Sequence, residues 1–89
     1  MIRTKEIEKV LKALANHRRL EILKVLKVRK DITVGEIANI IRLSFRSTSR
    51  HLAILSAAGI VDRKQISLEV YYTISTGMSS LANKIIAAV

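Results

Sequence analysis

The stretch SFRSTSRHLAILSAAGI, residues 44–60, decides the fold. It opens on a hydroxyl residue, carries arginines at 46 and 50, ends on Ala-Ala-Gly and contains no acidic residue. At 100° per residue, Thr48, His51, Leu52 and Leu55 fall on one side of a helix. Arg46, Arg50, Ala53 and Ala57 fall opposite, flanked by Ser47 and Ser49. Ser44 is placed to cap the start, and Gly59 to end the helix in the left-handed conformation. Such a helix has an aliphatic face to anchor it and an outer face of guanidinium forks, hydroxyls and small residues. A helix lying in a DNA major groove has those requirements, because arginine can bond both acceptors of guanine and serine suits several bases or phosphates.

Immediately upstream, DITVGEIANIIRLS (residues 31–44) holds a second helix. Thr33 followed by Glu36 matches a capping box, and a helix over 34–42 would bury Ile37, Ala38 and Ile41. Residues 31–33 suit a brief extended piece before it. Two helices joined across a short turn at Leu43-Ser44 make a helix-turn-helix unit. Further upstream, residues 5–15 place Ile7, Val10, Leu11 and Leu14 at helical spacing. Asn16 is positioned to cap HRRLEILKVLK, whose stripe is Leu20, Leu23 and Leu26, widened by Ile22 and Val25. Lys27, Arg29 and Lys30 at its end match the negative pole of its dipole. Downstream, two β-rich runs, 60–66 and 69–74, predict a hairpin, with Val70, Tyr72 and Ile74 alternating against Glu69, Tyr71 and Thr73. Met78, Leu81, Ala82, Ile85 and Val89 mark a last amphipathic helix. The expected fold is therefore mainly α with a small β-hairpin: a winged helix-turn-helix of five helices with a two- or three-stranded wing sheet, forming one domain over 1–89.

Composition narrows the function. The 89 residues carry 16 Lys and Arg against seven Asp and Glu, a net charge of +9. A field of that sign attracts polyanions, nucleic acid above all. From Arg42 to Val61 there is no acid at all. The absence of cysteine excludes disulfides, thiolate metal sites and cysteine nucleophiles. No nucleophile–base–acid constellation, glycine-rich phosphate cradle or suitably paired carboxylates point to an enzyme, and no cofactor is implied. The start, MIRTKEIEK, lacks the apolar core of a signal peptide, and no apolar run approaches a membrane span, so a cytoplasmic protein is expected.

LKALANHRRLEILKVL, then ITVGEIANIIRLSFRSTSRHLAILSAAGIV, then VYYTIS resemble the arsenic-repressor (ArsR-like) family of winged helix-turn-helix regulators. The likeness runs from about residue 8 to residue 75. It includes Leu-Ala-x-x-x-Arg-x-x-Ile-Leu from Leu14 to Leu23, Ser-Arg-His-Leu at 49–52, Ala-Gly at 58 and 59, and Tyr71-Tyr72. The resemblance implies a homodimeric, operator-binding transcriptional regulator, usually a repressor, with first and last helices packed across the two-fold axis. It also implies base-reading roles for Arg46, Ser47, Ser49 and Arg50. His51 matches the family's histidine in this run, at the edge of the buried face, where a structural role is expected. Ser44 and His51 join the recognition-helix set for DNA binding. Arg42, Arg63, Lys64 and Gln65 form a flanking and wing set for phosphate. Phe45 stands where the family often has glutamine and is expected to fill the helix–turn junction, with stacking against a sugar as the alternative.

Two departures matter. Metal-sensing members often carry cysteines in the third helix or Asp and His in the last. Here the third helix reads VGEIANII and residues 76–89 contain no Asp, Glu, His or Cys, so no metal is expected. Glu6, Glu8 and His17 are read as surface charges. Family wings usually turn through glycine, whereas this one reads QISLE, so phosphate contact is expected rather than deep minor-groove insertion.

The last helix argues independently for a second copy. From residue 78 to 89 its only charge is Lys84, and a monomer has one stripe to bury. The expected dimer interface is Ile7, Val10, Leu11, Met78, Leu81, Ala82, Ile85, Ile86 and Val89, burying apolar area at roughly 25 cal/mol per Å². The main rival is a winged-helix module for protein–protein assembly without specific DNA readout. RNA readers generally stack bases on aromatics, and Phe45, Tyr71 and Tyr72 are too few. A membrane-surface role for the last helix would want more than one lysine on its polar face.

Overall fold

The computed structural model describes residues 3–77 and 80–89. The elements are α1 (Thr4–Leu14), α2 (His17–Val28), β1 (Ile32–Thr33), α3 (Val34–Ile41), α4 (Phe45–Ala57), β2 (Val61–Ile66), β3 (Glu69–Ile74) and α5 (Ser80–Ala87). The three strands form one antiparallel sheet in the order β1-β3-β2. This is a winged helix-turn-helix with five helices among the described residues.

Local chemistry sets most of the boundaries. The Asn16 side chain accepts from the Arg19 amide and starts α2. Thr33 and Glu36 close a reciprocal capping box at the start of α3. α4 ends in a Schellman arrangement, with Gly59 at φ +74. There the Ile60 amide donates to the Leu55 carbonyl and the Gly59 amide to Ser56, each at 3.0 Å. The extended piece anticipated before α3 is β1, which pairs Ile32 with Tyr72 and Thr33 with Tyr71.

Ile22, Leu23 and Leu26 of α2, Ile37 of α3, Leu52 and Leu55 of α4, and Ile60 and Val61 at the head of the hairpin make the centre of the core. Each such side chain contributes about 1.5–3 kcal/mol by leaving water. Leu52→Ala would cost about 2–5 kcal/mol, because helices packed on two sides cannot collapse into the gap.

At the end of α2, Lys27 stands in the last turn as read from the sequence, and its Nζ in addition donates to the backbone oxygens of Val89 at 2.6 Å and Ala87 at 3.3 Å, pinning α5. Arg29 pairs with Glu36 of α3 at 3.3 Å. The expected dimer set also divides. Ala82 and Ile86 are buried within their own subunit, Ile86 in the main core and Ala82 at the wall of a groove beside α1. Leu11 and Leu81 are 44% and 42% exposed, and Ile7, Val10, Ile85 and Val89 are half-buried. Met78 lies outside the described residues.

Candidate nucleic-acid interface

The turn before α4 aims it. Arg42 closes α3 in the left-handed region (φ +55), and the Leu43 amide reaches back to the Ala38 carbonyl at 3.0 Å. Ser44 then caps α4, its hydroxyl accepting from the Ser47 amide at 3.1 Å. The Ser44 carbonyl accepts both the amide and the hydroxyl of Thr48, at 3.0 and 2.8 Å. That bond satisfies a fully buried threonine beside Leu52 and Leu55.

With that face down, Arg46, Arg50, Ala53 and Ala57 project into solvent, and Ser47 and Ser49 are half-exposed on the flanks. The side chains of Arg42, Arg46, Arg50, Arg63 and Lys64 make no hydrogen bond or ion pair with any of the described residues. The structure thus gathers the recognition-helix residues on one side of the molecule and leaves their cations uncommitted.

α2 holds this helix in place through two arginines that the sequence reading did not single out. Arg18 donates to the Ile41 carbonyl at the end of α3 at 2.8 Å and pairs with Glu21 at 3.0 Å. Arg19 donates to the Ala13 and Lys12 carbonyls at the end of α1. Both thereby satisfy carbonyls that the last turn of a helix leaves free. Arg19 also donates from Nη1 to His51 Nδ1 at 3.2 Å. A guanidinium only donates, so Nδ1 accepts and the neutral ring carries its proton on Nε2. Burial, then the charges of Arg19, Arg50 and Arg18, hold the His51 pKa below its ordinary value. His51 therefore braces α4 as a neutral acceptor, the structural role expected from its edge position. The arginine in the Leu-Ala-x-x-x-Arg pattern was the available signal for Arg19, but only tertiary placement shows what it touches.

The wing set separates by strand alternation. Arg63 stands opposite Tyr72 and Gln65 opposite Val70, on one face of the sheet; Lys64 stands opposite Tyr71 on the other. Arg63 and Ser49 line the same cleft between wing and α4, so the Arg63 face is turned toward the recognition helix. Lys64 shares its face with Asp62, Glu69 and Tyr71, whose hydroxyl donates to Glu69 at 2.9 Å. The wing turns tightly without glycine because Ser67 adopts φ +58. Leu68 beside it is 95% exposed.

Phe45 does not fill the helix–turn junction. Its ring is 63% exposed at the first position of α4, since the buried side of that turn is already occupied by Thr48.

At the C-terminal end of α4, α1 and α5 border a groove of about 690 Å³ whose lining includes Ile7, Val10, Ala57 and Leu81, together with Glu6 and Lys9. No group of three or more His, Cys, Asp or Glu placed to hold a metal occurs among the described residues. Among them, too, no helix is long and apolar enough to cross a membrane.

A capped helix-turn-helix, a three-stranded wing and an outward ridge of free arginines define the class of winged-helix regulators. Residues 16–63 match the family described as bacterial regulatory protein, arsR family, and the chain belongs to it. It is 40% identical over 67 residues to the transcriptional activator HlyU of Vibrio cholerae, a match covering 75% of this chain and 61% of HlyU. A cadmium resistance regulatory protein CadC homolog of Staphylococcus aureus is 35% identical over 69 residues, 78% of this chain and 57% of that protein. The chain thus spans about three fifths of the length of these curated relatives. Among solved structures, reduced HlyU superposes with a TM-score of 0.80 at 34% identity, covering 96% of this chain and 85% of that one. The homodimeric winged helix-turn-helix DNA-binding domain Mb0332 of Mycobacterium bovis gives 0.81 at 28% identity, covering 94% and 74%.

Proposed function

We propose that the chain acts as a homodimeric, sequence-specific regulator of transcription that binds double-stranded DNA. Two copies of α4 enter successive major grooves, about 10 base pairs apart, on a pseudo-palindromic site. The observation that carries this reading is the ridge of Arg46 and Arg50, solvent-facing, unpaired and remote in sequence from any carboxylate. Each guanidinium can bond guanine O6 and N7 together, a contact worth about 1–3 kcal/mol against the wrong base. Ser47 and Ser49 add contacts to base edges, and Ser44 keeps its hydroxyl hydrogen for a phosphate while its oxygen caps the helix. Arg42, Arg63 and Gln65 hold the backbone on the α4 side, with Lys64 adding charge from the outer face of the wing.

The groove lined by Ile7, Val10 and Leu81, with Leu11 exposed on α1, supports dimerisation through α1 and α5, to which we also assign the half-buried Ile85 and Val89. So does the homodimeric form of the Mycobacterium bovis relative. A dimer seated across a promoter excludes polymerase, so repression is the outcome we assign.

The test is a titration of genomic duplex fragments at two salt concentrations with the wild-type chain and the Arg46→Ala/Arg50→Ala variant. Tight, selective binding by the wild type alone supports the reading. Equal, weak affinity in both proteins leaves the assembly-module alternative. Transcription from a template carrying the recovered site, with and without the protein, then gives the sign of regulation.

A further inference from the structure

The exposed ring of Phe45 has no counterpart in a purely electrostatic interface. At 100° per residue it lies about 40° from Ser49 on the helix surface, on the flank that faces the wing. Together with Ser49, Arg63, Leu68 and Tyr72 it lines a cleft of about 440 Å³ between α4 and the hairpin. Glu69 also lines the cleft, and its carboxylate accepts the Tyr71 hydroxyl on the sheet's outer face. The cleft thus sets the apolar groups of Phe45, Leu68, Val70 and Tyr72 beside the guanidinium of Arg63, and Arg46 follows the ring directly in the chain. That combination suits duplex DNA, whose backbone answers the charge.

What the ring itself can recognise follows from its chemistry. It neither donates nor accepts a hydrogen bond, so phosphates and the polar edges of guanine, adenine and cytosine give it no partner. It sits in the first turn of the recognition helix, from which base edges are contacted. The apolar group that the major groove presents is the 5-methyl of thymine.

Resting on the DNA-reading role proposed for α4, we propose that Phe45 is a specificity-determining side chain that takes a thymine methyl group in each half-site. The protein then reads two kinds of feature with one helix: guanine acceptors through Arg46 and Arg50, and a thymine methyl through Phe45.

The experiment begins with duplexes enriched from a random pool by the wild-type chain. Each thymine that the enrichment fixes is then replaced by deoxyuridine, which removes the methyl and leaves the base-pairing edge intact. The wild type should lose about fourfold in affinity for each contacted methyl, equivalent to the ~0.8 kcal/mol of one buried CH₂ group. Phe45→Leu should keep most of that loss. Phe45→Ala should bind the thymine duplex more weakly than wild type and show no loss on methyl removal. The ring is exposed, and a thermal melt checks that both variants fold. Wild-type affinity that ignores the methyl overturns the proposal, as does a Phe45→Ala variant that keeps the full methyl effect; equal weakening on both duplexes would put the ring on a sugar. A wild-type chain that enriches no sequence removes the reading of α4 as well, whereas an enriched but methyl-insensitive sequence removes this inference alone.

Discussion

Helices α2 and α4 each carry a pair of arginines, and they use them in opposite ways. Arg18 and Arg19 of α2 are turned inward onto the ends of α3 and α1, and Lys27 of the same helix onto the end of α5. The side chains of Arg46 and Arg50 of α4 bond to none of the described residues. Arg18 and Arg19 are accordingly half-buried, whereas Arg46 and Arg50 are exposed. The difference lies in what stands nearby. α2 runs beside helix C-termini whose carbonyls need donors, whereas the outer side of α4 faces no backbone acceptor and no acid. The two arginine pairs thus divide into fasteners and free contacts according to what stands beside each.

Substitution should separate the two roles. The largest effect is expected from Arg46→Ala/Arg50→Ala: about 1–3 kcal/mol of base discrimination lost for each arginine, with thermal stability within about 0.5 kcal/mol of wild type. A binding isotherm on the enriched site and a melt on the same sample check both halves. Arg19→Ala should do the reverse. Losing its bonds to α1 and His51 costs about 1–3 kcal/mol of stability, while the order of preference among duplexes survives. A variant that changed base preference without loss of stability would erase the distinction.

The wing offers a finer cut. Arg63→Ala should lower the slope of log affinity against log salt by about 0.9. Lys64→Ala should change it less, because strand alternation turns Lys64 to the outer face with Asp62 and Glu69. Equal slopes would mean that both faces of the hairpin reach phosphate.

The smallest effect concerns pH. The folded pKa of His51 lies below its ordinary 6.5, so the unfolded chain binds the extra proton more readily. The stability due to the neutral ring is complete above about pH 6.5 and is lost as pH falls through the lowered folded value. Melting midpoints measured from pH 8 to 5 should therefore decline more steeply in wild type than in His51→Gln, which keeps an acceptor for Arg19 but cannot be protonated.

How much of this was legible beforehand depends on the range of each interaction. Asn16, the Thr33–Glu36 pair, Ser44 and Gly59 act within a few residues of themselves, so the sequence shows both the group and its partner. The outward set Arg46, Ser47, Ser49 and Arg50 follows from helical period alone, which α4 obeys. Arg19, by contrast, meets His51 across 32 positions and Lys27 meets Val89 across 62. No local pattern predicts such partners. The same applies to α5: its sequence is apolar on more than one side, and only the packed subunit shows that Ala82 and Ile86 turn inward while Leu81 stays out. Phe45 was misjudged for a related reason: helical period put Thr48 on the buried face, but only the packed turn shows that no room is left there for the Phe45 ring.

The central proposition is that the free arginines of α4 touch guanine edges in two half-sites at once. Methylation interference tests it most directly, because a methyl on guanine N7 removes the acceptor that a guanidinium needs. The expected result is two patches of guanines, about 10 base pairs apart, at which N7 methylation excludes wild-type protein but leaves binding by the Arg46→Ala/Arg50→Ala variant unchanged. Wild-type binding that tolerates N7 methylation throughout an otherwise tightly bound site would contradict it.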